Sequence, residues 1–212
     1  MPSAAGSPAS PRRLSLLNPI FPKEAFVEEK RLPPGQKWVE DLIVYDIAPL
    51  PPLDLQNFRL RIFGEVQNPC ELSWEELLRL PRQRIRADFH CVEGWSVPDL
   101  LWEGVPASAI LYLVQPKPEV AWVLAHSHDG YTTNIPFSYF ARPDTVLAFS
   151  LNGKPLPPEH GWPLRLVVPS LYAWKSAKYL VALEFLTELR RGYWEERGYH
   201  DVGDPWREER RR

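Results

Sequence analysis

Four short stretches of this sequence carry residues whose types and spacing could do chemistry. The sharpest is Asp88-Phe89-His90-Cys91-Val92-Glu93-Gly94-Trp95-Ser96. A cysteine at the end of an alternating run, followed by a glycine-bearing loop, is presented toward a cavity and not into a core. As a thiolate it could bind a metal or attack an electrophile; as a thiol it could equally be a small buried hydrophobe. The second stretch is His126-Ser127-His128-Asp129-Gly130-Tyr131. If the strand continues, His126 and His128 face the same way, and zinc would need a third ligand from Cys91, His90 or Asp129. Ordinary hydrogen bonding at a polar strand end fits the same residues. In the third stretch, Arg165 lies within the apolar run from Pro163 to Pro169. A buried guanidinium needs a partner, either a phosphate held by paired hydrogen bonds or an internal carboxylate. The fourth stretch, Tyr172 to Tyr179, brings Lys175, Ser176 and Lys178 together. Two ammonium groups, a hydroxyl and backbone N–H groups suit an anion, and a solvated basic loop is the plain alternative. No glycine-rich phosphate or dinucleotide loop occurs.

The elements that must position these residues follow from periodicity and punctuation. Phe58, Leu60, Ile62 and Val66 alternate with polar residues and predict a half-buried strand. Ser73 with Glu76 forms a capping box, flanked by the staple positions Leu72 and Leu77, for a helix that ends before Pro81. Alternation over Arg84–His90 delivers the chain to Cys91 and a loop from Val92 to Pro98. A strand over Leu101–Val105 then leads to a helix opened by Pro106 and running to about Val114. Further short strands fit Val120–His126, Thr132–Ile135, Thr145–Leu151, Leu164–Val168 and Tyr179–Thr187, with Asn152-Gly153 as a hairpin turn. Many short strands with few, short helices make the expected class α+β, mixed and mostly β. Residues 1–50, rich in Pro, Ser and Ala at the start, read as an extended, partly ordered arm docked through Phe21, Phe26 and Trp38. Residues 51–212 read as the folded domain, with a surface-wrapping tail from about 190 that has no element of its own.

Composition narrows the partners. The 212 residues suffice for a sizeable core, and the formal net charge of -2 offers no basic stripe for nucleic acid. The mixed charge run Arg207–Arg212 reads as solvated. Nine tryptophans suit the walls of a ligand cavity. Two cysteines, Cys70 and Cys91, are too few for a disulfide framework, although one bridge is conceivable. No apolar run is long enough to span a bilayer, and the segment after Arg12-Arg13 is too short for an export signal, so a cytoplasmic location is expected.

Taken in order, the stretches resemble the molybdopterin-binding domain of the sulfite oxidase family over about Asn57–Thr187. The markers are Cys91-Val92-Glu93, Asn152-Gly153-Lys154-Pro155-Leu156-Pro157, His160-Gly161 with Pro163 and Arg165, and the loop from Lys175 to Lys178. Gly192-Tyr193-Trp194 and Gly203-Asp204-Pro205-Trp206 are similar to the small bacterial branch, and Cys-Val-Glu is shared with the catalytic subunit of protein-methionine-sulfoxide reductase. The resemblance implies a sulfite-oxidase-type fold, a molybdenum–molybdopterin cofactor, and Cys91 as the protein's ligand to the metal. It further implies that Ser127, His160, Arg165, Lys175, Ser176 and Lys178, with the backbone of Ala177, hold the pterin and its phosphate. Glu93, His128 and Tyr131 would wall the substrate pocket as proton donors or hydrogen-bonding groups. Where vertebrate and plant sulfite oxidases carry arginines soon after the ligand cysteine, this chain has Glu93-Gly94-Trp95, which argues against sulfite. The expected activity is two-electron redox or oxygen-atom transfer on a small or sulfoxide-like substrate, with electrons exchanged through a separate protein. The rival readings are a zinc or thiol hydrolase using Cys91 with His126 or His128, and a non-catalytic cofactor-binding module.

Overall fold

Strands built on alternating apolar residues dominate the structure, a computed structural model that describes residues 31–50 and 52–212. In chain order the elements are β1 (Lys37–Trp38), β2 (Arg59–Gly64), β3 (Cys70–Ser73), α1 (Trp74–Arg79), β4 (Gln83–His90), β5 (Trp95–Pro106), α2 (Ala107–Val114), β6 (Trp122–Ser127), β7 (Thr132–Pro136), α3 (Phe137–Phe140), β8 (Val146–Leu151), β9 (Lys154–Pro155), β10 (Arg165–Val167), β11 (Leu180–Leu186) and α4 (Tyr193–Glu196). The class is the expected mixed, mostly-β one with few, short helices.

Two sheets carry the architecture. One orders its strands β3-β2-β11-β6-β7, with β11 parallel to β2 and antiparallel to β6. The other runs β1-β5-β8-β10, with β4 also paired to β5 and β9 to β8. Alternation decides which core each side chain joins. Leu147 and Leu166 enter the larger core with Leu60, Ile62, Leu183 and Phe185. Their neighbours Val146, Ala148 and Val167 point the other way, into a second core with Phe89, Cys91, Trp95 and Trp102. The second sheet is therefore buried on both faces around β8 and β10.

Local chemistry explains the boundaries. Ser73 caps α1 through a complete capping box with Glu76. Pro106, with extended backbone, is the cap residue of α2 and not its first helical residue. Asn152 and Gly153 both have positive φ and close the β8–β9 hairpin.

Three expectations need correction. The loop predicted from Val92 to Pro98 is a tight turn, because β5 already begins at Trp95 and pairs with β4 through His90 and Ser96. Residues 31–50 belong to the folded body: β1 lies parallel to the start of β5, while residues 1–30, with Phe21 and Phe26, lie outside the described residues. The tail after 190 is no mere surface wrap. It forms α4, buries Glu195 completely, and ends in a bridge between Tyr199 and Arg211. Arg210, read as solvated, donates to the Val92 carbonyl and lies over the Tyr172 ring. Cys70 and Cys91 are free thiols. Among the described residues no helix is long and apolar enough to cross a membrane.

Candidate active site

A cavity of about 370 Å³ opens where the end of β4, the start of β10 and the 172–178 loop meet. Its volume lies in the range of small-molecule sites. Cys91 is in its wall and 6% exposed. Backbone bonds fix the turn that carries it: Cys91 N–H donates to the Trp95 carbonyl at 2.8 Å, and Gly94 N–H to the Cys91 carbonyl at 3.1 Å. The Gln36 amide holds the same carbonyl from the other side at 2.9 Å. Burial pushes the thiol up to about 11, opposed by the backbone N–H groups of Glu93 and Val92. A thiol so placed is protonated at neutral pH, and becomes a thiolate only when a cation compensates its charge.

The histidines do not supply that compensation. His126 pairs with Glu184 at 3.0 Å and packs against Phe63. His128 meets the Pro52 carbonyl at 3.2 Å, and His90 shares a hydrogen bond with Ser96 at 2.8 Å. None of the three lines the cavity. Among the described residues, no three His, Cys, Asp or Glu side chains gather as a metal site. The zinc and cysteine–histidine alternative therefore lacks its ligands and its base, and His128 is not part of the pocket wall.

Another part of the wall is cationic. Arg165, 4% exposed, donates to the carbonyls of His160 at 2.9 Å and Ser176 at 3.0 Å. Its guanidinium lies against the neighbouring rings of Phe89 and Trp102, 5.2 and 5.1 Å from their centres. Its Nε has no partner, and no carboxylate pairs with it among the described residues. Burial pulls it down to about 10, so it remains a cation at neutral pH. Lys178 reaches the same wall and is bonded to the Asp46 carboxylate and the Glu159 carbonyl. The Ser176 hydroxyl accepts from Val168 N–H at 3.0 Å, which leaves its own hydrogen to donate. His160 lines the cavity too, and burial, then Arg165, lowers its pKa and favours the neutral ring.

Other expected site residues fall differently. The Tyr131 phenol lines the cavity but spends its hydrogen on the Trp174 carbonyl at 2.7 Å, and burial raises its pKa well beyond the ordinary range, so it is wall and not proton donor. Ser127 and Ala177 are buried just behind the wall. The Ser127 hydroxyl has no partner, and the Ala177 carbonyl accepts from Leu166 at 2.9 Å. Lys175 is a clear correction. Its ammonium is fully buried away from the cavity, 2.7 Å from Glu195, because that carboxylate reaches it from the C-terminal tail. Glu93 is exposed at the rim. Sequence reasoning missed the strap Leu42–Ile47, which covers one side of the cavity, and the tail residues Trp194 and Tyr199. The run Leu42-Ile43-Val44-Tyr45, apolar among prolines, was the available signal for the strap.

A buried guanidinium without a counter-ion, a hydroxyl with its hydrogen left to donate and a thiol around one cavity fit a ligand that is anionic at one end and metal-bearing at the other. The comparisons point the same way. Residues 47–194 match the family of oxidoreductase molybdopterin binding domains. The chain belongs to that family. An uncharacterised oxidoreductase of Bacillus subtilis, YuiH, is 41% identical over 181 residues, 85% of this chain and 91% of the relative. The catalytic subunit of a protein-methionine-sulfoxide reductase from Campylobacter jejuni is 31% identical, over 66% of this chain and 52% of its own. The sulfane dehydrogenase SoxCD of Paracoccus pantotrophus superposes with a TM-score of 0.60 at 29% identity, over 66% of this chain and 40% of that one. The chain thus spans about half or less of these two relatives, and nearly all of the Bacillus protein. This chain is a sulfite-oxidase-like molybdopterin-binding oxidoreductase domain.

Proposed function

We propose that Cys91 is the protein's ligand to molybdenum, and that Arg165, Lys178, Ser176 and His160 hold the pterin and its phosphate. The observation that carries this reading is the pairing, across one cavity, of a buried thiol with a buried guanidinium that has no internal counter-ion. A phosphate satisfies Arg165 and Lys178 together through charge-assisted hydrogen bonds. Lys178 exchanges Asp46 for that phosphate. A metal cation beside Cys91 removes the penalty that holds the thiol protonated, so the sulfur is deprotonated when it binds. Bound there, the cofactor supplies two-electron redox chemistry and oxygen-atom exchange.

The protein's own contribution to substrate choice is electrostatic. Once Arg165 and Lys178 face a phosphate, the ionisable groups left around the cavity include the carboxylates of Asp46, Glu93, Asp129 and Glu159. Such a rim repels a doubly charged anion, by roughly 1 kcal/mol per pair of unit charges at 4 Å even in water. A neutral sulfoxide-like substrate is therefore favoured over sulfite. The likeness to the catalytic subunit of a methionine-sulfoxide reductase supports this choice, and that relative's being one subunit of an assembly supports electron supply by a separate protein. Metal and pterin analysis of purified protein, with a redox assay using an artificial electron donor, tests the assignment. Wild type should hold molybdenum and molybdopterin and reduce a neutral sulfoxide. Cys91→Ser should fold and lose the redox activity, while Cys70→Ser keeps it. Zinc alone in the protein, or equal losses in both variants, sinks the reading.

A further inference from the structure

The 172–178 loop forms the anion-facing wall of the cavity, yet most of it pairs with no strand. What fixes it comes from the tail. Lys175 Nζ donates to Glu195 at 2.7 Å, to the Asn134 carbonyl at 2.7 Å and to the Asp201 carbonyl at 2.8 Å. All three of its hydrogens are thereby used. The same Glu195 oxygen accepts from Trp174 Nε1 at 2.8 Å and from the Thr133 hydroxyl at 2.7 Å. Tyr172 N–H donates to the Gly203 carbonyl at 2.8 Å.

Packing repeats the pattern. The Trp174 ring edge lies against Gly203, where a Cβ would come within 2.7 Å of it, and α4 is capped by Gly192, where a Cβ would meet the Thr132 carbonyl at 2.4 Å. Only glycine lets the tail lie this close at both points. Trp174 also stacks on Tyr172 and meets Tyr199 edge-on, with ring centres 5.4 and 5.1 Å apart.

Residues on either side of Lys175 in the chain, Trp174 and Ser176, line the cavity, and so do Trp194 and Tyr199 from the tail. A shift of the Lys175 anchor therefore moves both walls. From this we infer that Lys175 and Glu195 are positioning residues: their buried pair locks the tail onto the loop and sets the geometry in which Ser176, Lys178 and Arg165, itself bonded to the Ser176 carbonyl, receive the cofactor's anionic end. The proposal rests on the cofactor assignment made above. It makes tail docking and cofactor binding thermodynamically linked, each favouring the other by the same factor.

Two measurements test it. In wild-type protein, limited proteolysis within residues 192–212 is followed before and after molybdopterin is removed. Linkage predicts cleavage slower by about tenfold or more in the loaded protein. Equal cleavage rates in the two forms overturn the proposal. Glu195→Gln and the double variant Lys175→Met with Glu195→Gln are then assayed for molybdopterin per mole of folded protein, read as its fluorescent oxidation product. Both should retain about a tenth or less of the wild-type amount. The double variant, which leaves no buried charge unpaired, should still fold, so its loss of pterin separates positioning from mere stability. Full pterin content in a folded variant overturns the inference while leaving the cofactor assignment intact. A wild-type protein that holds and takes up no molybdopterin overturns both.

Discussion

The turn that carries Cys91 and the loop that carries Ser176 and Lys178 face one cavity but are held by different physics. The turn is a hairpin between adjacent strands, closed by backbone bonds within five residues of one another. The loop depends on one buried side-chain pair, Lys175 with Glu195 of α4, backed by carbonyls of β7 and of the 199–203 segment. Local backbone bonds survive most substitutions, since every residue type supplies them. A lock made from one lysine and one glutamate survives almost none. The Cys91 side should therefore be robust, and the Ser176–Lys178 side fragile to changes far from it in sequence.

Two lysines three positions apart give the sharpest way to break that contrast. Lys175→Ala leaves Glu195 buried and uncompensated, and should cost about 3–5 kcal/mol of stability in denaturant unfolding. Lys178→Ala removes a partly exposed pair with Asp46 and should cost no more than about 1 kcal/mol. Similar stabilities for the two variants would erase the distinction between anchor and ligand. A middle-sized effect is expected on cofactor retention. Arg165→Ala and Lys178→Ala should each weaken it by about 1–3 kcal/mol, read as pterin remaining after dialysis. Unchanged retention in both would move the anionic end away from this wall. The smallest effect belongs to the rim. Glu93→Gln should improve sulfite binding relative to a neutral sulfoxide by roughly 1 kcal/mol, the size of one screened charge contact. Steady-state kinetics with both substrates decides it, and faster sulfite oxidation than sulfoxide turnover by wild type would reverse the electrostatic argument.

What could be read from the chain divides along the same line. β2, α1 with its capping box, β4, α2 and the Asn152-Gly153 hairpin were legible because each is specified by neighbours within a few residues. Cys91 stood out at the end of β4, Arg165 as a cation within an apolar run, Ser176 and Lys178 by their anion-binding chemistry, and His160 only through the family resemblance; all five line the cavity. Lys175 was misread since its partner, Glu195, sits in a segment without periodicity, and nothing local distinguishes a buried lysine from a solvated one. His128 failed for a related reason: its strand ends at Ser127, so it no longer shares a face with His126. β1 and β3 are too short for alternation to register.

The parallel pairing of β2 with β11 carries a consequence for how the protein is made. Arg61 lies opposite Ala182, and Phe63 opposite Glu184. The strand that opens the five-stranded sheet must wait, during synthesis, for nearly the whole chain before it finds its central neighbour. Contacts of such long range slow folding and leave strand edges uncovered meanwhile. Because α4 follows β11 directly, the cavity's last wall leaves the ribosome after the sheet's last strand. On this topology the cavity is finished only after Glu195 has been made, and a nascent chain stalled before that residue has the Cys91 turn but no anchored 172–178 loop.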